Sequence, residues 1–420
     1  MAKAYIIGGG VAGLAAATAL ARKGAQVELF EAGPQAGGRC RSYFDATMGQ
    51  VIDNGNHLVL SGNHAVYAYL ERIGAASALK GPDHATVDFV DLGEGLRWKV
   101  ALNDGLLPFW MLRAATRVPG TAAKDYAAFA PLLWAKKSAT IGRVVRPQGM
   151  LWRRLVHPYL LAALNTEPEN ASAALAGEVL RQGLLAGGRA CRPRIAEPNL
   201  AAAFITPALA FLEKNGAKVH LGQRLRRFTI AGTGVRALEF ADATIPSGMK
   251  DAVVLAVNAP VAQDLVPGLC APNQFRAIVN AHFAAAPPAG APAMLGVIGG
   301  TAEWIFSFPD RISVTISAAD GIVDEERESL AARIWRDVTA ALQLDAALPA
   351  SIPPWQIVKE KRATFAATPE QDALRPGPRT ATRNLFLAGD WTQTGLPATL
   401  EGAIRSGETA AALAMRHLQL

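Results

Sequence analysis

Residues 3–31 read KAYIIGGGVAGLAAATALARKGAQVELFE, and this stretch decides the fold. An apolar strand at 3–7 runs into Gly8-x-Gly10-x-x-Gly13, a helix rich in small residues follows, and a second apolar run at 27–30 ends on Glu31. Each glycine has its own task. Gly8 permits the tight turn, Gly10 lets backbone N–H groups come close to a pyrophosphate, and Gly13 lets the helix lie on the strand with its positive end toward the phosphates. Ala12, Ala16 and Leu20 are spaced for packing, Gly24 stops the helix, and Glu31 stands where a carboxylate accepts ribose hydroxyls. A Gly-x-Gly-x-x-Gly alone is a weak signal, because glycines cluster in many turns. With the strand before it, the helix after it and the acid beyond, it predicts a Rossmann-type unit that holds an adenine dinucleotide.

Working outward, Gly37-Gly38-Arg39 and Ser42 follow the acid closely. The stretch 8–42 resembles the N-terminal signature of FAD enzymes of the amine oxidase and phytoene desaturase superfamily, whose Gly-Gly-Arg loop passes beside the pyrophosphate and ribityl chain. The resemblance implies FAD as cofactor, held by Gly38 and Arg39 as well as by Glu31 and the adjoining Ala32.

Hydrophobic residues make up 50% of the 420 and charged residues 18%. That length accommodates two or three lobes around a sizeable core. No stretch reaches the roughly 18 uninterrupted apolar residues of a membrane span. The Ala-rich run after Lys3 could pass for a signal peptide, but its residues are already used as strand and dinucleotide helix. Cys40, Cys191 and Cys270 form an odd, scattered set that argues against a disulfide framework or a zinc site and fits a reducing cytoplasm. The formal net charge is +7, with basic clusters at 113–117, 136–137, 143–154 and 224–227. Beside them lies the apolar stretch 106–112, LLPFWML. Such a patch with flanking cations suits the headgroup layer of an anionic membrane, at the inner face of the cytoplasmic membrane. It suits a buried helix with a solvated basic rim equally well. No recognition motif accompanies the charge, so nucleic acid is not an expected partner.

Segments 1–60, 199–270 and 361–420 are expected to build the FAD-binding domain. Between them, 61–198 carries apolar residues at helical spacing over 65–73, 122–137, 151–164 and 171–185, and reads as a helical substrate lobe. Residues 201–214 predict a helix, 218–221 a strand, 226–230 and 235–240 a hairpin, and 252–257 a buried strand. Within 271–360, strands at 277–283, 294–298, 304–307 and 312–316 with a helix at 324–342 predict a substrate-domain sheet. The expected class is α/β: a Rossmann-type FAD-binding domain with a discontinuous substrate domain of mixed sheet and helical lobe.

Residues 384–390, NLFLAGD, predict a buried strand ending on an acid, with a helix opening at Leu400. Open α/β sheets bind ligands at such strand ends and helix N-termini. By the superfamily resemblance Gly389 and Asp390 hold the ribityl chain. The same resemblance implies that Ala398, Thr399 and Leu400 set the helix's positive end at the N1/O2 edge of the ring, where reduced flavin is anionic. A backbone contact to the adenine from a strand pair near Leu225 is implied by the same resemblance. Thr399 stands where amine oxidases place an aromatic residue of the amine cage, and no cysteine lies near the C-terminal segment to bond the flavin. No second nucleotide-binding glycine motif offers NAD(P)H a domain.

Asp53-Asn54-Gly55-Asn56-His57, Leu164-Asn165-Thr166 with Ala171-Ser172, Ile278-Val279-Asn280, Trp304-Ile305-Phe306 and the stretch 389–402 together resemble the squalene-associated FAD-dependent desaturases, over essentially the whole chain. Asn56 replaces the glutamine of that family and keeps the amide. The resemblance implies reduction of hydroxysqualene to squalene in hopanoid or related biosynthesis, with Gly55, Asn56 and His57 beside the flavin. An allylic hydroxyl leaves, a delocalised cation forms, and a hydride quenches it. The departing hydroxyl needs a proton, which His57 is expected to donate or relay. Packing on the ring, or a bond to a backbone carbonyl, is the other role open to it. Trp110, Trp134, Trp152, Trp304 and Trp391 are candidates to line an isoprenoid tunnel or face its cation, with ordinary core the competing role for most of them. Three rival readings share the architecture: a carotenoid-type desaturase running in the opposite direction, a flavin amine oxidase, and a prenyl-lipid escort protein without redox chemistry. Nothing in the sequence specifies an oligomeric state.

Overall fold

The computed structural model describes residues 2–344 and 352–420. A five-stranded parallel sheet runs in the order Lys218–His220, Gln26–Phe30, Lys3–Ile7, Ala252–Leu255, Leu385–Leu387. Alternate residues of its strands face opposite ways. Ala4, Ile6, Val27, Leu29 and Val254 pack on the helices Val11–Arg22, Thr206–Lys214 and Leu400–Leu418. Tyr5, Ile7, Phe30, Val253 and Leu255 pack under a three-stranded antiparallel sheet of Arg227–Ala231, Gly234–Glu239 and Thr244–Pro246. Every residue of Ala252–Leu255 and Leu385–Leu387 is buried, as a parallel sheet covered on both faces requires. The strand order reverses beside Lys3–Ile7, which opens a crevice at the carboxyl ends of the strands.

A second, mixed sheet has seven strands in the order Trp355–Phe365, Phe275–Phe283, Ile312–Ile316, Trp304–Ser307, Met294–Ile298, Thr86–Asp91, Leu96–Ala101. Helix Arg327–Leu342 covers the face that carries Val279, Ile305 and Val314. Phe89, Trp304 and Phe306 on the other face meet a lobe of short helices.

The second sheet differs from the sequence reading in two respects. The stretch 61–198 is not uniformly helical, because Thr86–Asp91 and Leu96–Ala101 form a hairpin that joins the second sheet, Thr86–Asp91 pairing parallel with Met294–Ile298. Gly95, at φ +63°, makes its turn. Strand Trp355–Phe365 runs across position 360, and its charged middle, Lys359 to Arg362, hides it from a search for apolar runs. It is an edge strand, where charge is the usual guard against further pairing.

Prolines shape the helices. The expected helices at 151–164 and 201–214 both contain a π turn, Trp152–Val156 and Ala201–Ile205, just ahead of Pro158 and Pro207. A proline lacks the N–H that the preceding turn's carbonyl requires, and the turn widens to absorb the mismatch. At Pro131 the expected helix 122–137 breaks into Ala123–Ala127 and the 3₁₀ turn Ala130–Trp134. Among the described residues no helix is long and apolar enough to cross a membrane.

Candidate active site

The first half of the site is the turn that closes Lys3–Ile7. Gly8 has φ +110°, and a Cβ there would meet the Ala256 carbonyl oxygen at 2.5 Å. On Gly13 a Cβ would lie 1.9 Å from the Gly8 carbonyl oxygen, so helix and turn are in direct backbone contact. Gly10 is different: a Cβ would meet nothing within 4 Å, so this side of the turn faces open space, where a pyrophosphate fits. Helix Val11–Arg22 starts there, with Gly10 extended as its N-cap and no side chain capping its first N–H groups. Glu31 is anchored from both oxygens, Oε2 accepting from the Gly9 N–H and Oε1 from the Gly33 N–H, each at 2.7 Å. The 37–39 loop is tied in by the Gly37 N–H, which donates to the Gly9 carbonyl at 2.8 Å.

The second half comes from the chain's other end. Asp390 Oδ1 accepts from Arg39 Nη2 at 2.7 Å, an ion pair between residues 351 positions apart. Arg39 also donates to the Ala363 carbonyl. Gly389 has φ +142° and donates its N–H to Ser406 Oγ at 2.8 Å. Thr399 caps helix Leu400–Leu418, its hydroxyl accepting from the Gly402 N–H at 3.1 Å. The buried Glu401 turns away from this helix start: its carboxylate accepts from the Ala65 and Val66 N–H groups at 3.2 and 3.0 Å and so caps helix His64–Arg72. The sequence reading missed Arg375 altogether. Its guanidinium donates to the carbonyls of Asp390 and Thr392 and to Thr394 Oγ1, pairs with Asp372 and stacks on Phe365.

Two expected motifs, 53–57 and 278–280, meet at the second sheet. Asn280 Oδ1 accepts from the Asn56 N–H at 3.4 Å and from Thr315 Oγ1 at 2.8 Å, while Asn56 Nδ2 donates to Thr315 Oγ1 at 3.1 Å. His57 Nδ1 lies 3.1 Å from the Gly55 carbonyl. A carbonyl only accepts, so Nδ1 carries the proton and Nε2 keeps its lone pair in the neutral ring. Burial pulls the His57 pKa below 6.5, opposed by the Gly55 bond and by Asp390, and reinforced by Arg39. Asn165, at φ +47°, fastens the helical lobe to the second sheet by donating to Thr364 Oγ1 at 2.9 Å and accepting from the Ala318 N–H at 2.6 Å.

Leu225 lies buried with Phe30, Phe228 and Phe240, in a loop that Gln223 fastens to the Glu31 carbonyl at 2.8 Å. Of the tryptophans, Trp304 packs on Phe89 and Trp152 stacks on Phe129, and Trp391 donates to the Val257 carbonyl. Trp110 is buried edge-on to Tyr126, whereas Trp134 is 78% exposed and lines nothing. The 106–112 stretch is not a buried helix: Leu106, Leu107, Phe109 and Leu112 are exposed, and Trp110 alone is a buried anchor.

Residues 11–415 match the model of the flavin containing amine oxidoreductases, and the chain belongs to that family. It is 55% identical over 412 residues to the hydroxysqualene dehydroxylase of Rhodopseudomonas palustris, covering 98% of each chain. To the hydroxysqualene dehydroxylase of Sinorhizobium fredii it is 51% identical over 411 residues, again 98% of each. Its fold is similar to that of cyclohexylamine oxidase from Brevibacterium oxydans, with a TM-score of 0.72, 16% identity and 100% of both chains covered. The chain is therefore a flavin-dependent oxidoreductase, and the dinucleotide cradle makes its flavin FAD.

Proposed function

We propose that the chain reduces hydroxysqualene to squalene. The observation that carries this reading is the full-length match to hydroxysqualene dehydroxylases in a chain whose two terminal segments meet at the Arg39–Asp390 pair. In it, Gly8, Gly10, Gly13 and Gly38 surround the pyrophosphate of FAD, Glu31 and Ala32 the adenosine ribose, and the backbone at Leu225 the adenine. Arg39, Gly389 and Asp390 serve the ribityl chain, Ala398, Thr399 and Leu400 the N1/O2 edge, and Gly55, Asn56 and His57 the substrate side of the ring. Segments 1–60, 199–270 and 361–420 form the FAD-binding domain, and 61–198 with 271–360 the substrate side.

When bound in its reduced form, FAD supplies the hydride. The allylic C–O bond breaks, the carbon gains that hydride, and the oxygen gains a proton and leaves as water. His57 in its neutral form offers Nε2 to the substrate hydroxyl as an acceptor, which orients the C–O bond. It must take up a proton before it can give one, so its acid role is a relay. The test of the activity is product analysis after anaerobic mixing of photoreduced protein with hydroxysqualene, with one squalene expected per flavin and no squalene overturning the reading.

His57→Gln is expected to keep the flavin spectrum and to lower turnover about 100-fold. Because the folded His57 pKa lies below 6.5, the imidazolium disappears as pH rises through that lowered value, so wild-type turnover should climb on acidification below pH 6.5. The variant should lack that limb. Full turnover by His57→Gln would remove His57 from the chemistry.

The substrate is a membrane lipid, and we place the chain on the inner face of the cytoplasmic membrane through 106–112. Leu106 and Leu107 are 75% and 65% exposed, Phe109 55% and Leu112 63%, with Arg113 and Arg117 next to them. Segment 181–188 joins this loop to a second one: Gly187 lies against Gly105, and Arg181 holds the Leu133 carbonyl beside Trp134, Lys136 and Lys137. Burying one phenylalanine contributes about 1.5–3 kcal/mol, so Phe109→Asp should weaken sedimentation with anionic liposomes about tenfold or more. Unchanged sedimentation would count against this face.

A further inference from the structure

We propose that Asn280 is a positioning residue for His57: from the neighbouring sheet it grips the 54–56 turn, aims the Gly55 carbonyl at Nδ1 and so keeps Nε2 free for the substrate hydroxyl. The proposal rests on the role given to His57 above. Asn280 is 2% exposed and belongs to strand Phe275–Phe283, more than two hundred positions from the turn it holds. Its side chain acts on that turn as a peptide group would. Oδ1 accepts the Asn56 N–H at 3.4 Å, and Nδ2 donates to the Asn54 carbonyl at 3.4 Å. Between those two bonds the amide presses on Gly55, where a Cβ would lie 2.9 Å from Nδ2. Gly55 is thus backed by a side chain that any Cβ at this position would have to displace, and its carbonyl is the His57 partner. Thr315 locks the amide's orientation, because its hydroxyl donates to Oδ1 at 2.8 Å and accepts from Asn56 Nδ2 at 3.1 Å.

The consequence is chemical. A histidine free to choose its tautomer presents Nε2–H part of the time and cannot then accept from a hydroxyl. With the Gly55 carbonyl fixed, the ring is held in one form. Three charged groups share this region: Arg39 and Asp390, whose charges act on the His57 ring in opposite senses, and Glu360, whose Oε2 accepts from Asn54 Nδ2 at 3.5 Å.

The experiment uses the full chain loaded with FAD and labelled with ¹⁵N-histidine, the His57 signal being assigned by its loss in His57→Gln. Wild-type protein should show a neutral His57 protonated on Nδ1 alone. Asn280→Ala, which releases the turn, should show both tautomers and about a tenfold loss of kcat with KM within twofold. Asn280→Asp keeps an acceptor for the Asn56 N–H but loses the donor to Asn54 and sets a carboxylate behind the turn. Its His57 titration midpoint, and the acid limb of its turnover, should move to higher pH by about one unit. If both variants only lower the melting temperature and leave tautomer, titration and pH profile as in wild type, Asn280 is structural and the proposal fails. The two readings fail separately. Full turnover in His57→Gln overturns the role of His57 in the reaction, whereas a slow His57→Gln alongside unshifted Asn280 variants overturns only the positioning.

Discussion

Gly13→Ala protein should purify without flavin absorption, while Gly10→Ala protein should fold normally and lose the cofactor for a different reason. At position 13 the added methyl would lie 1.9 Å from the Gly8 carbonyl oxygen and 3.1 Å from its carbon. Both are backbone atoms, so no side chain can swing aside. The helix must lift off the strand, at a cost of about 3 kcal/mol or more, and its N-terminus moves away from the place where phosphates would meet it. At position 10 the methyl meets no protein atom within 4 Å, and the φ of −72° suits alanine. Its stability without flavin should therefore match wild type within about 0.5 kcal/mol, while the methyl occupies the approach of the pyrophosphate. Thermal melts of the flavin-free proteins and flavin titration separate the two effects. Wild-type FAD affinity in Gly10→Ala would remove the 8–13 turn from the cofactor site.

The second large effect is expected at Arg375. Its side chain is 1% exposed, yet its charge is matched from several directions: Nε donates to the Thr392 carbonyl at 2.9 Å, Nη2 to the Asp390 carbonyl at 3.1 Å and to Thr394 Oγ1 at 2.8 Å, and Nη1 to Asp372 at 2.9 Å. Phe365 lies 4.8 Å beneath the guanidinium. Arg375→Met fills much of the volume and strands the carbonyls and the Asp372 carboxylate, which should destabilise the protein by about 3–5 kcal/mol. Because the carbonyl of Asp390 itself is held by this residue, flavin content should fall with stability. Arg375→Lys should recover less than half of the loss, since an ammonium group cannot reproduce the planar fork. Denaturant melts read the effect, and a change below about 1 kcal/mol would show that the loop is held by other contacts.

These two sites also show where sequence reading reaches its end. The 8–13 turn is legible because its demands are local: a positive φ, a helix pressed on a strand and a missing side chain leave glycine as the only choice at fixed spacing. The strands Ala252–Leu255 and Leu385–Leu387 are legible because burial on both faces leaves an unbroken apolar run. Arg375 carries no such mark. A lone arginine among Ala373, Leu374 and Pro376 reads as a solvated charge until the fold wraps Thr392 and Phe365 around it.

The sequence by itself determined an α/β dinucleotide-binding protein, its cofactor class and the two segments that meet in its cleft. Tertiary structure alone decided that the hairpin of Thr86–Asp91 and Leu96–Ala101 leaves the helical lobe for the second sheet, that 106–112 lies exposed, that Glu401 caps a neighbouring helix, and that Asn280 grips the turn before His57. The reason is physical. Backbone conformation and periodic burial are imposed by neighbours in the chain and leave a local pattern. The partner of a strand edge or a buried amide is chosen by packing between segments hundreds of residues apart, and no spacing in the sequence encodes that choice.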